Sequence, residues 1–229
     1  MNNSEFSDAF DVLLNSHSMR TEFGIPSSVQ DIVLDEYEKS IYLTKAQKQI
    51  VVELYTGRNE RGASFESTEE LRACLRNLIK EESLTENEVS EGSRTYSLPE
   101  DLLFIIHEEA VIDDSNAGCL DSTSVSSVPV TYDELSKVLR NPFRKPSKDR
   151  VLRVDEGSGL IKVYSLYNIG KYSMKYLRNP SPIILSDIDG MSIDGCEAGE
   201  CELDSITHDV ILERAVRLAL IGRSHRSNV

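Results

Sequence analysis

The segment from Ile206 to Ile221 constrains this chain more than any other part of its sequence. Ser205 precedes it as an N-cap and Gly222 follows it as a stop, so it reads as one helix. Val210, Ile211, Leu212, Ala215, Val216, Leu218, Ala219, Leu220 and Ile221 cover most of its circumference. A helix apolar nearly all round must be buried on nearly all sides. It is therefore either the central helix of a core or a helix shared with a second subunit. Val210 and Val216 become candidate interface residues on the second reading.

The helical pattern continues at the other end of the chain. Phe6, Phe10, Leu13 and Leu14 stand at helical spacing in the first fifteen or so residues. A longer helix opens at Pro26-Ser27-Ser28 and carries Val29, Ile32, Val33, Tyr37, Ile41, Ile50, Val51, Leu54 and Tyr55 toward a stop at Gly57. A break near Leu43-Thr44 is an open alternative, because Thr44 is a capping residue type. Ser67 or Thr68 then precedes a third helix through Leu71, Leu75, Leu78 and Ile79, with Glu69 and Glu70 in its first turn.

Beyond an acidic linker at residues 81–91 the pattern changes. Residues 95–98 and 102–106 read as short strands, or as a strand and a helical turn, since so short an apolar run does not separate the two. Residues 113–127 are rich in Asp, Ser, Thr, Asn and Gly and read as a long exposed loop. Thr131 caps a short helix from Tyr132 to Arg140, stopped at Asn141-Pro142. Residues 150–154 and 160–164 flank Glu156-Gly157-Ser158-Gly159 as a hairpin. Residues 172–177 add a strand-like segment, and Pro182 to Leu185 another. The expected fold class is α+β: a mostly helical body, residues 1–94, with a β-hairpin-rich insertion and the closing core helix in residues 95–229. These two parts are expected to pack as one compact domain.

The chain carries a net charge of −14, unevenly spread. From Lys137 to Arg178 eleven Lys/Arg face three Asp/Glu, a net of +8, which leaves −22 on the remainder. So acidic a chain does not wrap nucleic acid by counterion release. A bipolar chain stacks acidic face on basic face between copies, or meets a partner of opposite charge. Arg140, Phe143, Arg144, Lys145, Lys148, Arg150, Tyr164 and Tyr176 are the interface candidates in the basic stretch. Arg and Tyr are the side chains that anchor interfaces most effectively. No run reaches the roughly 18 to 20 apolar residues of a membrane span, so no membrane role is expected. No secretory signal is visible, which places synthesis and first use in a cytoplasm.

Catalytic signals are weak. Residues 182–190 end in Asp187-x-Asp189-Gly190 after an apolar run, like the first motif of haloacid-dehalogenase-type phosphatases. There Asp187 would attack phosphorus and Asp189 would serve as general acid/base beside Mg²⁺. Only 39 residues follow Gly190, and they hold neither a lysine nor the later acidic pair. As an EF-hand loop begun at Asp187, the glycine position holds Ser192 and the final glutamate position Ala198. Cys196 and Cys201 lie near His208 without a second close pair of ligands, and Cys74 and Cys119 are isolated. Gly157-Ser158-Gly159 is no dinucleotide loop. His17, His107, His208 and His225 sit in no nucleophile motif. No catalytic residue, cofactor or metal is expected.

Three stretches together resemble a known family: Val130-Thr131-Tyr132-Asp133-Glu134-Leu135 through Asn141-Pro142-Phe143-Arg144-Lys145-Pro146, Lys175-Tyr176-Leu177-Arg178-Asn179-Pro180 through Leu185, and His208-Asp209-Val210-Ile211-Leu212-Glu213-Arg214-Ala215-Val216. With the hairpin between them, they resemble the neck ring proteins of crAss-like tailed bacteriophages over residues 95 to 222. The resemblance implies a structural virion protein assembled in the bacterial host cytoplasm. It implies a homo-oligomeric ring, a dodecamer, that docks on the portal protein, extends the DNA channel and meets the adjacent neck or tail ring. DNA is then only passing cargo. The alternative is another phage interaction protein, such as a tail, cargo or scaffold component.

Overall fold

A computed structural model describes residues 1–21, 33–58, 69–90, 92–115, 118, 122–185, 192–193, 195–196 and 199–226. In chain order its helices and strands are α1 (Asn3–Thr21), α2 (Glu36–Thr56), α3 (Glu69–Leu75), β1 (Ile79–Ser83), β2 (Glu86–Ser90), β3 (Ser93–Ser97), β4 (Leu102–Ile112), β5 (Ser124–Pro129), α4 (Tyr132–Arg140), β6 (Arg150–Gly157), β7 (Leu160–Tyr164), β8 (Ile169–Arg178) and α5 (His208–Arg226). Short 3₁₀ turns follow α3 and precede α5. The chain divides into two compact units, one of Met1–Leu78 with Pro180–Val229 and one of Ile79–Asn179.

In the helical unit α5 packs against α1 and α2. Its buried apolar side chains are Ile211, Leu212, Ala215, Val216 and Ala219, a single stripe at helical spacing that His208 begins. Within one chain the helix is not buried all round, because Val210 and Ile221 are each 50% exposed. Phe6, Phe10 and Leu14 of α1 reach the same core with no exposure at all. Lys39 of α2 ties the two N-terminal helices together, its Nζ lying 2.7 Å from Asp11, 2.9 Å from Glu36 and 3.1 Å from Ser7 Oγ. His208, its ring tilted against that of Phe6 with centroids 5.1 Å apart, lies 3.2 Å from the Leu203 carbonyl through Nε2. Burial lowers its pKa below the ordinary histidine range.

Helix α2 begins at Asp35, whose carboxylate accepts from the Glu36 N–H, and stops at Gly57 in the left-handed region, φ 74°. It runs unbroken through Leu43-Thr44. The Thr44 hydroxyl does not cap a second helix; it accepts from Ile183 N–H at 3.1 Å and lies 3.3 Å from the Ile183 carbonyl. Ser40 Oγ likewise donates to its own turn and accepts from Leu185 N–H at 3.1 Å. Residues 182–185 therefore form no sheet strand. They are an extended segment pinned to the hydroxyls of α2 and bridged once to Gly199. A Cβ at Gly199 would stand 2.2 Å from the Pro182 carbonyl oxygen. Gly199→Ala is thus expected to force that bridge apart and cost about 1–3 kcal/mol, read as a lower denaturation midpoint with unchanged slope. A variant as stable as the parent contradicts this packing.

The second unit is one eight-stranded sheet in the order β1-β8-β4-β5-β6-β7-β3-β2. Its ends are a single bent segment. Leu84 N–H extends the β1–β8 pairing by donating to Tyr172 O at 2.9 Å, and Thr85 O extends β2–β3 by accepting from Ser97 N–H at 3.1 Å. Residues 79–90 thereby join both ends of the strand order and curl the sheet closed, which leaves no long unpaired edge. Inside lie Leu84, Tyr96, Ala110, Ile112, Val125, Val151, Ile161, Val163, Ile169, Tyr172, Met174 and Tyr176. Tyr96 and Tyr172 stack with centroids 5.0 Å apart, and burial pushes the Tyr96 phenol up to about 12. β5 and β6 are parallel, joined across α4, which buries Leu135 and Val138.

The chain is α+β, but the mostly helical body with a hairpin insertion is too small a share of strand. The acidic linker of residues 81–91 is largely β1 and β2, and residues 102–106 open the eleven-residue β4. Thr131 does precede α4, yet its side chain makes no capping hydrogen bond.

Candidate functional site

The interface candidates of the basic stretch fall into two groups. Arg140, Phe143, Arg144, Lys145, Lys148 and Arg150 lie together at the end of α4 and in the turn that follows. Phe143 is 86% exposed, the most exposed large apolar side chain among the described residues. The turn holding it is tied from both sides. Asn141 Oδ1 accepts from Phe143 N–H at 2.9 Å, and the Asn141 carbonyl accepts from Lys145 N–H at 2.9 Å. Arg150 reaches back, donating to the carbonyl oxygens of Phe143 and Lys145. Arg150 thus acts as the clamp of this turn. Arg140, Arg144, Lys145 and Lys148 are exposed, and residues 140–148 contain no carboxylate.

Tyr164 and Tyr176 do not join that surface. Tyr164, half-buried, ends β7 opposite Ser93 and Leu152. Tyr176 is fully buried in the sheet core, with its hydroxyl 2.8 Å from Asp101, and burial with the nearby carboxylates pushes its phenol well up. Its reading as an interface residue is corrected on that ground. Val216 is corrected likewise, being 1% exposed within the helical unit. Val210 remains open at the surface.

Val210 belongs to a groove that the sequence reading missed. It runs between α2, α3 and the start of α5, with a cavity volume of about 1060 Å³. Leu54, Leu71, Ile206 and Val210 supply its apolar lining, and Ile206 is 72% exposed. Glu69, Glu70 and Glu213 line it as exposed carboxylates, with Arg58 as an exposed cation among them. Arg214 clasps Glu53 through two contacts of 2.6 and 2.9 Å, and holds that carboxyl below the usual carboxylate range. A helical wheel places Ile206, Val210 and Glu213 on one face, opposite the buried stripe.

Asp187, Asp189 and Asp194 lie outside the described residues, as does Cys119. Among the described residues, no group of three His, Cys, Asp or Glu side chains is placed to hold a metal ion. No described helix is long and apolar enough to cross a membrane. Cys201 is half-buried, and burial raises its thiol pKa.

The family described as phage tail ring protein 3/4 matches residues 1–229. Among curated proteins, the chain is similar to "Ring protein 3" of Bacteroides phage crAss001, 48% identical over 98% of this chain and 97% of that protein. It is also similar to "Ring protein 4/5" of the same phage, 32% identical over 96% of this chain and 92% of that one. With a match spanning every residue and two relatives aligned over nearly their whole lengths, this chain belongs to the phage tail ring protein 3/4 family of the crAss-like phages.

Proposed function

We propose that this protein is a structural, non-enzymatic subunit of a closed ring in the phage neck. The ring docks on the portal vertex, extends the DNA channel and passes the attachment to the next ring or tail component. The observation that carries this reading is the end-to-end similarity to proteins named as rings. The charge distribution supports it. A subunit with +8 on one segment and −22 elsewhere carries the unlike charge that suits a heterologous, ring-closing contact. Twelve copies would match a twelvefold portal. The excess acid suits a channel wall, because like charge suppresses contacts with passing phosphates. Assembly takes place in the host cytoplasm and the product resides in the virion.

Sedimentation with the purified portal tests the docking. The full-length protein is expected to co-sediment with portal rings in a fixed ratio, one copy per portal subunit. A protein that stays in the supernatant at every ratio contradicts the portal contact. A bore lined with lysine and arginine would contradict the channel reading.

A further inference from the structure

We infer that the subunit–subunit contact seats the Phe143 turn of one copy in the groove between α2, α3 and α5 of the next copy. This rests on the ring reading and deepens it by naming both halves of the contact. A closed ring needs two different surfaces on each chain, one for each neighbour. The chain offers such a pair, one in each unit. The turn is convex and basic: Phe143, 86% exposed, stands among Arg140, Arg144, Lys145 and Lys148 with no carboxylate in residues 140–148. The groove is concave and partly apolar, with Ile206 and Val210 open in its lining, and its exposed charges, Glu69, Glu70 and Glu213 against Arg58, are acidic on balance. Its volume of about 1060 Å³ is in the range that accepts an aromatic anchor with its flanking residues.

Three physical arguments favour a second copy as occupant. An exposed phenylalanine on a turn fixed by Asn141 and Arg150 is already ordered, so little conformational entropy is lost when it is buried. Aromatic side chains seated in desolvated pockets are the usual anchors of interfaces, ringed by polar contacts. The four cations of the turn and the net acidic charge of the groove are of opposite sign, which steers the encounter and disfavours turn-to-turn and groove-to-groove pairing.

The test uses two full-length variants, each defective in one half, examined alone, mixed and with the portal ring present. Phe143→Asp removes the anchor and sets a negative charge against the groove's carboxylates. Val210→Lys sets a cation where the basic turn should sit. Both positions are exposed, so melting within a few degrees of the parent serves as the control for folding. Each variant alone is expected to weaken self-association at least 100-fold and to form no rings. Mixed in equal amounts, they are expected to form a 1:1 heterodimer and stop, because one intact turn still meets one intact groove. A pair in which Arg144→Glu with Lys145→Glu is matched by Glu69→Lys with Glu213→Lys, carried on one chain, is expected to restore rings. Rings formed by either single variant overturn the contact and leave the ring reading standing. Loss of rings without a heterodimer on mixing also overturns it, since turn and groove would then serve other partners. A parent that forms no ring, even on the portal, overturns the ring reading and the contact with it.

Discussion

Arg153→Leu is expected to destabilise the sheet unit by about 3–5 kcal/mol at neutral pH, because it leaves a buried carboxylate without its counter-ion. Glu108 and Arg153 are 7% and 9% exposed. They face each other across β4 and β6, with Arg153 Nη1 3.2 Å from Glu108 Oε2. The Tyr172 hydroxyl donates to Glu108 Oε1 at 3.0 Å and lies 2.8 Å from Ser127 Oγ, so four strands meet in one polar cluster. Burial raises the Glu108 pKa above the ordinary carboxylate value, against the pull of Arg153 and Tyr172. The sign of the pH dependence follows. A carboxyl whose folded pKa is raised binds its proton more readily in the native state than in the unfolded one. Its contribution favours the fold below the ordinary value and is lost as pH rises through the raised one. Without Arg153 the rise is larger, so the variant should recover stability as the medium is acidified toward pH 5. Glu108→Gln combined with Arg153→Leu should recover most of the loss at neutral pH, since no buried charge then remains. Urea unfolding at pH 8 and pH 5 measures both effects. An equal loss at the two pH values contradicts the buried-charge explanation.

Phe6→Ala is expected to cost the helical unit about 3–5 kcal/mol, the range for truncating a buried aromatic side chain. Helix α1 is held by three buried apolar side chains and a small set of polar ties, among them Asn3 donating to the Ile184 and Gly199 carbonyls. Its core anchors are Phe6, Phe10 and Leu14, and its polar tie to α2 is the Lys39 cluster. Phe6 also covers the ring of His208 at the start of α5. Its loss admits water there, so the His208 pKa should climb back toward its ordinary value. The parent should lose stability as pH falls through the window just below the ordinary histidine value, because its folded pKa is depressed. That slope should flatten in Phe6→Ala. A loss below about 1 kcal/mol, within the range of an ordinary surface substitution, contradicts the placement of α1 in this core.

The parts of this fold that were readable in the sequence are those where one face is apolar and the other is not. Helix α5 announces itself through Ile211, Leu212, Ala215, Val216 and Ala219, although its apolar residues extend beyond the face buried within the chain. The surplus, Ile206 and Val210, turned out to line a groove. Strands β1 and β2 were not readable. Glu81, Glu82, Glu86 and Glu88 face solvent on both sides of a bent segment, so neither alternation nor hydrophobicity marks them. Thr44 misled for a different reason. A threonine inside a helix signals a cap only when its hydroxyl serves its own backbone, and this one serves Ile183, far along the chain.

The exposed turn was legible because a phenylalanine among prolines and cations has no local partner. The role of Arg150 was not, since a side chain donating to backbone carbonyls leaves no trace in composition. Tyr176 looked like a surface anchor beside Lys175 and Arg178. The period of two along β8 turns it inward and Lys175 outward, while Arg178 stands at the strand's end.

End-on cryo-electron microscopy of the full-length protein, assembled alone or on the portal, tests most directly whether the chain is a ring subunit. Closed rings of one fixed copy number are expected, in which each copy presents one surface to the neighbour on its left and a different one to the neighbour on its right. Two-fold dimers in which the same patch faces itself, or single copies that leave the portal undecorated, would contradict the ring reading.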